Sequence, residues 1–440
     1  SLKQADAFYN SLNGFKGLKG KVLVSHSEND KDSELFEQFR NDSDIKVLVA
    51  VDRGRLGYNM PELFNVVDFT LTQSLASCRV GIFTFQQRWE QYTEKNCGVY
   101  TADYLQNLYE DNDWINSKDA LTFINITCIP STHLMVAIQS LQEDEQLRTS
   151  QGKWIAIKTK QRDIQKLLTG NNKPIIFDAV DFISNSLELL SSQKLFIERD
   201  FKWVSSQRKS QPIDPSNNCI NESQIFIEKG ATVLCSNLNA SEGYIYIGNE
   251  SIIMEGVSIR GSFVLGEKGV VKMNTSIYGN TTIGPYCLAG GEIKNSILMG
   301  YSNKGHEGYL GDSIIGHWCN LGAGTSNSNI KNTAGLIQMW NENTQNWEQV
   351  GQKMGMIMGD YSRFAIQSSI NSGTYVGVSA HIFASGLLPK YIPNFTWGLG
   401  TDYALDKAIK HIENWKKLKG FTFNEAEIQV LKHLYSLNRS

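Results

Sequence analysis

One histidine stands alone in the glycine-rich stretch GYSNKGHEGYLGD, Gly300 to Asp312. An imidazole has an unperturbed pKa of about 6.5, so His306 is suited to taking up and releasing a proton near neutral pH. Tyr309 adds a phenol to the same stretch, and just upstream the run Glu-Ile-Lys places a carboxylate at Glu292 and an ammonium at Lys294. Asn320 and Ala323 follow in CNLGAGT, and Asn329 lies a little further on. A cation suits an anionic substrate group, and amides suit an oxyanion that develops during group transfer. Each residue also has a plainer reading. A loop histidine is commonly solvated, Glu292 and Lys294 can pair across a strand face, and asparagines serve turns because they tolerate left-handed backbone. His317 and His381 read as coil-surface or interface residues.

Other chemistries find little support. The seven cysteines, Cys78, Cys97, Cys128, Cys219, Cys235, Cys287 and Cys319, are scattered with no CxxC pair, and read as reduced, mostly buried thiols rather than a disulfide frame or zinc site. Lys and Arg number 42 against 45 acidic residues, a near balance that argues against a nucleic-acid footprint or a polybasic membrane surface. Apolar runs such as Val47 to Val51 are far too short to span a bilayer, and no charged-then-apolar leader is visible, so a cytoplasmic protein is expected. At 440 residues, two or three domains are expected.

The elements that could position these residues form a repeat. From Ile247, apolar residues recur six positions apart at Ile253, Ile259, Leu265, Val271, Ile277, Ile283 and Ala289, and again at Phe364, Ile370, Val376, Ile382 and Leu388. No helix has that period. Glycine often follows directly, at Gly248, Gly266, Gly284 and Gly290, and again at Gly316, Gly322 and Gly377. A hexapeptide repeat alternates a short extended segment with a tight turn that glycine or asparagine relieves, and three segments close a triangular coil. Stacked coils bury one apolar residue per segment and satisfy each other's backbone groups. An antiparallel sandwich permits such a spacing, but would not by itself hold eight positions in register. The spacing leaves the handedness open. The count fails after Ala289 and resumes near Ile315, which predicts a loop carrying His306; a second interruption, rich in Trp, Asn and Gln, lies between Gln338 and Gln352. Loops fixed at both ends by a solenoid are a customary place for a site.

The segment GGEIKNSILMGYSNKGHEGYLGDSIIGHWCNLGAGTSNSNIKNT, Gly290 to Thr333, resembles the acetyltransferase half of the bifunctional N-acetylglucosamine-1-phosphate uridyltransferase/glucosamine-1-phosphate acetyltransferase family, in a variant branch typical of Bacteroidetes-type bacteria. The resemblance continues through GDYSRFAIQSSINSGTYVGVSAHIFASG and PKYIPNFTW to the terminus, and backward through RVGIFTFQQRWEQY to about Phe69. It implies a left-handed β-helix that forms a homotrimer, with acetyl-CoA and glucosamine-1-phosphate meeting in clefts between subunits. By motif position, His306 would be the general base that takes a proton from the sugar ammonium, so that a neutral amine attacks the thioester. Glu292 would support the histidine, Lys294 would hold the sugar phosphate, and Tyr309 would touch the phosphate or sugar. Asn320 and Asn329 would fix the amino sugar and acetyl group, and Ala323 would offer a backbone contact to acetyl-CoA. Zinc hydratases built on three histidines share this architecture, but the GHxxYLGD and NLGAGT contexts speak against a metal. The sequence departs from the better-known branch at Asn329-Ile330, where an asparagine–tyrosine pair is usual; the expected phosphate-binding arginine has no clean counterpart, Arg260 and Lys272 both being candidates. The implied product feeds UDP-N-acetylglucosamine synthesis for the cell wall. A non-catalytic trimeric β-helix scaffold or sugar-phosphate binding protein is the alternative of a different class.

The whole chain reads as mixed in fold class: a helicase-C-like α/β fragment over 1–68, a partial sugar nucleotidyltransferase-like α/β domain over 69–215, a left-handed parallel β-helix over 216–395, and a helical tail over 396–440. In the first, KVLVSHSEND and VAVDRGRLGYNMP resemble the second RecA-like domain of superfamily 2 helicases, with a helix at Ser33–Arg40 and a buried strand at Val47–Val51. The sequence has no GxxxxGK[ST] motif, which argues against an NTP-driven nucleic-acid motor. In the second, Gln73-Ser74 replaces a family arginine–proline pair and Ser77 an acidic residue, so UTP and Mg²⁺ are implied only if this half is active; a silent scaffold is the preferred reading. In the tail, Leu405, Ile409, Ile412 and Trp415 recur at helical spacing, and a Thr422–Glu425 capping box predicts a second helix that covers the β-helix or a neighbouring subunit.

Overall fold

The structure is a computed structural model that describes residues 47–50, 71–109, 117–161 and 174–438. The predicted Ser33–Arg40 helix, and nearly all of the 1–68 segment, lie outside the described residues. The chain divides into two compact units, one containing residues 112–181 together with 89–98 and the chain up to Val49, the other containing 50–88, 99–111 and 182–440.

The first unit is built on a mixed sheet. Leu121–Asn125 is buried at all five positions and pairs antiparallel with Trp154–Thr159, which pairs antiparallel with Gln146–Arg148. Thr122 and Asn125 are buried along with Leu121, Phe123 and Ile124, so both faces of the strand are covered. Val47–Ala50 is the neighbouring strand in the same sheet, where the sequence predicts one. The Ser131 hydroxyl caps the helix Thr132–Gln139 by accepting from the Leu134 N–H, and the helix buries Leu134, Met135, Ala137 and Ile138.

The second unit is a left-handed parallel β-helix with C-terminal helices. Its first face has six strands, from Asn218–Ile220 to Tyr309–Gly311; its second has nine, from Ile225–Ile227 to Tyr391–Ile392; its third has ten, from Thr232–Val233 to Thr401–Asp402. Every residue of the two six-spaced series points inward and is at most 2% exposed, in one continuous core. The period of six therefore measures the chain needed to cross one face and turn one corner.

The glycines after these core residues serve a different purpose from the one their sequence position suggests. None of Gly248, Gly266, Gly284 and Gly290 has left-handed backbone. They are required because the next coil passes too close: a Cβ on Gly266 would lie 2.5 Å from the Pro285 nitrogen, and one on Gly284 would lie 1.6 Å from the Met299 carbonyl oxygen. The left-handed residues at the corner between the second and third faces are Glu250, Lys268, Tyr286, Tyr301, Trp318, Tyr361, Ser379 and Phe395. Three of them, Tyr286, Tyr301 and Trp318, are joined by stacking. Tyr286 stacks on Tyr301 at 5.2 Å, and Tyr301 stacks on Trp318 at 4.4 Å with the rings 2° from parallel.

The predicted loop at Gly300–Asp312 does not exist as an excursion. Asn303–Lys304 pairs with Leu288–Ala289, and Tyr309–Gly311 pairs with Glu292–Lys294, both in parallel register. The count fails because coils change length: Val264 pairs with Thr282 eighteen residues on, Thr282 with Ile297 fifteen on, and Ile297 with Ile314 seventeen on. Shortened corners hide the period while the stacking continues. The second interruption is a true excursion. Ile337–Asn341 and Asn346–Gly351 form an antiparallel hairpin between coils, with Trp340 edge-on to Trp347 and tilted against Tyr391.

Helices Leu405–Leu418 and Glu425–Leu437 lie against the chain's own β-helix. Phe421 meets Tyr286, Tyr301 and Trp318 edge-on, closing the aromatic column. Lys416 places its ammonium 5.1 Å from the Trp318 ring and pairs with Glu427. The capping box of the second helix is Asn424 with Glu427, two residues later than the sequence suggests. The shift lets Glu427 reach its own N-cap, Lys416 and the Tyr361 hydroxyl together.

Candidate functional site

Alternation builds the centre of the site. In Glu292-Ile293-Lys294 the isoleucine faces the core, fully buried, so the carboxylate and the ammonium both face outward on the first face. In Tyr309-Leu310-Gly311, Leu310 faces inward likewise. Register then places Glu292 beside Tyr309, and Lys294 between Tyr278 and Gly311. Gly311 is needed for the phenol, since a Cβ there would lie 2.2 Å from the Tyr309 hydroxyl oxygen. The side chain of Tyr309 thus folds over the position next to Lys294.

The electrostatics of this cluster are mixed. Tyr278 donates its hydroxyl proton to Glu292 Oε1 at 2.5 Å, and that bond, which favours the protonated phenol, is the main reason the Tyr278 phenol is pushed up to about 12. Lys294 Nζ lies 5.7 Å from the Tyr278 ring centre. Asp312, buried and left-handed at the corner after Gly311, accepts from the side-chain amides of Asn295 at 2.6 Å and of Asn329. Burial, and next the Asp312 carboxylate, push the Tyr309 phenol well above its ordinary value, while Asn329 hydrogen-bonds to it and acts the other way. Glu292, Lys294, Tyr309 and Asn329 are therefore brought together, joined by Tyr278, Asn295 and Asp312.

His306 is exposed at the corner where the third face turns into the first, three residues before Tyr309. Its backbone carbonyl accepts from Lys304 Nζ at 2.6 Å. Ala323 sits at the same corner one coil further on, its carbonyl accepting from the Gln367 N–H at 2.7 Å. Asn320 is placed elsewhere. It faces outward on the third face between Asn303 and Arg363, and its carbonyl oxygen accepts from Asn303 Nδ2 at 3.3 Å. One chain does not bring Asn320 to the Glu292–Lys294–Tyr309 cluster.

The two candidate phosphate cations fall differently. Arg260 is paired with Tyr278 in the register, hence in the same outward row as Lys294, and forms a 2.8 Å ion pair with Glu242. Lys272 lies at the corner after Val271. Along the first face, Asn237, Asn239, Ser258, Arg260, Ser276 and Tyr278 line a shallow concavity of about 590 Å³. His317 is not a surface residue: it is buried, its N–H donating to Asp360 Oδ1 at 2.6 Å, with Thr72 bonded to the other carboxylate oxygen. His381 is half-buried between Arg363 and Trp397, and burial lowers its pKa. None of the seven cysteines is joined in a disulfide; Cys235 is exposed, Cys219 is half-buried and the other five are buried.

Reading by sequence missed Tyr278, Asp312 and Lys304. Lys304 had a signal: Leu298, Lys304 and Leu310 are six apart, so the lysine occupies an inward position. Tyr278 had none, because its place beside Lys294 depends on the shortened coil between them. Among the described residues no group of three or more His, Cys, Asp or Glu is placed to hold a metal ion, and no helix is long and apolar enough to cross a membrane.

Residues 65–209 match the family model of sugar nucleotidyl transferases. The chain is 32% identical over 145 residues to the Bifunctional protein GlmU of Methanocaldococcus jannaschii, covering 33% of this chain and 34% of that protein. It is 29% identical over 210 residues to the Bifunctional protein GlmU of Methanococcus vannielii, covering 47% and 49%. It is also 25% identical over 182 residues to a bifunctional sugar-1-phosphate nucleotidylyltransferase/acetyltransferase of Sulfurisphaera tokodaii, covering 37% and 45%. The matches span between a third and a half of the length of these curated relatives.

Proposed function

We propose that the second unit transfers an acetyl group from acetyl-CoA to the amine of glucosamine-1-phosphate. The observation that carries this reading is the gathering of Glu292, Lys294, Tyr309 and Asn329 on one face of the β-helix, beside the corner that presents His306. The names of the similar proteins support a sugar-phosphate acetyl or nucleotidyl transfer in general. In the reaction, His306 takes a proton from the sugar ammonium, and the freed nitrogen lone pair attacks the thioester carbonyl carbon. The carbon–sulfur bond breaks and the CoA thiolate leaves, taking up a proton as the attached nitrogen releases one, so that amide and thiol are the products. Lys294 offers a cation to the phosphate, Tyr309 and Asn329 contact the sugar and acetyl groups, and Glu292 supports the imidazole.

Asn320 and Ala323 enter through assembly. Asn320 lies on another face from Lys294, so a site that uses both needs a second copy of the chain, and a homotrimer with clefts between subunits supplies it. The product would feed UDP-N-acetylglucosamine synthesis for the cell wall, in the cytoplasm. The nucleotidyltransferase-like half acts as scaffold, with Gln73 in place of an arginine and Ser77 in place of an acidic residue; UTP- and Mg²⁺-dependent pyrophosphate release would overturn that part.

One observation favours a second reading. The Glu292 carboxylate is engaged by Tyr278 in the single chain, which suits a β-helix scaffold or sugar-phosphate binding protein without turnover. Free-thiol release from acetyl-CoA with glucosamine-1-phosphate decides between them. Activity that falls at least about a hundredfold in His306→Ala supports the acetyltransferase, as loss of a general base predicts. A folded, trimeric and inactive parent leaves the scaffold.

A further inference from the structure

We propose that Lys304 is a positioning residue for His306, holding the corner that carries the imidazole by bonding three backbone carbonyls from inside the β-helix. The inference deepens the acetyl-transfer reading above and rests on it. Lys304 occupies the inward position six residues after Leu298 and six before Leu310, and its side chain is fully buried. The coil before it presents Ala289 at the paired position, and Leu321 also belongs to the surrounding core. Hydrocarbon would fill the place with less desolvation. An ammonium does what hydrocarbon cannot. Nζ donates to the carbonyl oxygens of Gly290 at 3.2 Å, His306 at 2.6 Å and Glu307 at 3.2 Å, so all three of its protons have acceptors.

Two of those carbonyls belong to His306 and Glu307 themselves. With both directed at one buried cation, the backbone dihedrals on either side of the imidazole are constrained, and with them the direction in which the ring leaves the corner. Glycines make the inward turn feasible: a Cβ on Gly291 would lie 2.8 Å from the His306 carbonyl oxygen, and one on Gly308 would lie 2.2 Å from that of Thr325. Removing the ammonium leaves three carbonyls without a donor, which the corner can relieve only by turning one or more outward. Burial lowers the Lys304 pKa to about 8, with Glu307, on the same corner, acting in the opposite direction. The neutral amine keeps two N–H donors for three acceptors, so the hold weakens as that proton leaves.

The test compares the parent with Lys304→Met and with Leu298→Ala, a core truncation without a polar partner. Hydrogen exchange of peptides spanning 290–291 and 305–308 is read first, because it needs no catalysis. The expected result is faster exchange confined to those peptides in Lys304→Met, not seen in Leu298→Ala. Acetyl transfer is read next: kcat is expected to fall at least tenfold in Lys304→Met with KM for both substrates within about threefold, while Leu298→Ala at a matched loss of melting temperature keeps its kcat. Should Lys304→Met not fold, the kcat profile of the parent serves, expected to decline above about pH 8. Unchanged exchange at 305–308, an unchanged kcat in Lys304→Met, or a parent kcat flat to pH 9.5 would each overturn the positioning role. A parent without acetyl transfer, or an active His306→Ala, would instead overturn the acetyl-transfer reading.

Discussion

The Lys294 ammonium has an aromatic neighbour in Tyr278 and forms no ion pair among the described residues. A dianionic phosphate would be its natural partner, and a hydrogen bond to a charged group contributes about 1.5–3 kcal/mol. Lys294→Met should therefore raise KM for the amino-sugar phosphate roughly 10- to 100-fold, with a smaller effect on kcat, in initial-rate assays. Asp312 predicts a stability effect instead. It binds the amides of Asn295 and Asn329 from a buried position, so Asp312→Ala strands two polar groups and should cost about 2–4 kcal/mol in denaturant unfolding. Lys304 should separate stability from activity. Its folded pKa, about 8, lies below that of an unfolded lysine, so the native chain binds fewer protons between there and about 10.5. The penalty for burying the charge is present in full below pH 8 and is relieved as pH rises through that window. Its stability contribution should rise, by at most about 3 kcal/mol, where the corner is expected to lose its hold on His306; comparing urea midpoints of parent and Lys304→Met across pH 7–10 measures this.

At the scale of the coil, stacking distance rather than backbone freedom dictates the recurrent glycines. Gly284→Ala puts a methyl carbon 1.6 Å from the Met299 carbonyl oxygen, a contact with backbone that cannot rotate away. A loss of about 3 kcal/mol or more is expected in denaturant unfolding, in the range of severe overpacking. Gly335→Ala, whose nearest neighbour would be the Thr333 hydroxyl at 3.5 Å, should be nearly neutral. The aromatic column at the opposite corner ties the C-terminal helices to the coils through Phe421, Lys416 and Glu427. Those helices also cover the third face, where Lys419 donates to Asn303, the neighbour of Asn320. The helical tail thus bears on the face that holds one of the predicted substrate residues.

At the scale of the whole molecule, the division of candidate residues between faces is the feature with consequences. Lys294, Tyr309 and Asn329 share one region, whereas Asn320 looks out from another. If the site is assembled between copies, His306→Ala and Asn320→Ala chains, each weakly active alone, should recover activity when refolded together, at about a quarter of sites in randomly mixed trimers. Mixed trimers no more active than either variant would show that a single chain holds the whole site.

How much of this was legible beforehand follows from which forces are local. The inward series from Ile247 to Ala289 could be read directly, because burial of one apolar residue per segment imposes a period on composition. His306, Glu292, Lys294, Tyr309 and Asn329 could be named from their motif, and alternation alone puts Glu292 and Lys294 on one side of a strand. The sequence could not reveal that Gly300–Asp312 stays within the coil, since the shortened turns that break the count leave no periodic trace. Nor could it show that Tyr278 meets Glu292, that Asp312 collects two amides, or that a lysine reaches three carbonyls from the core. Those contacts join neighbours in space whose separation along the chain is set by coil length. Local pattern determined the repeat and the chemistry available to it; which side chains meet was decided by the register of one coil on the next, a property of the folded stack alone.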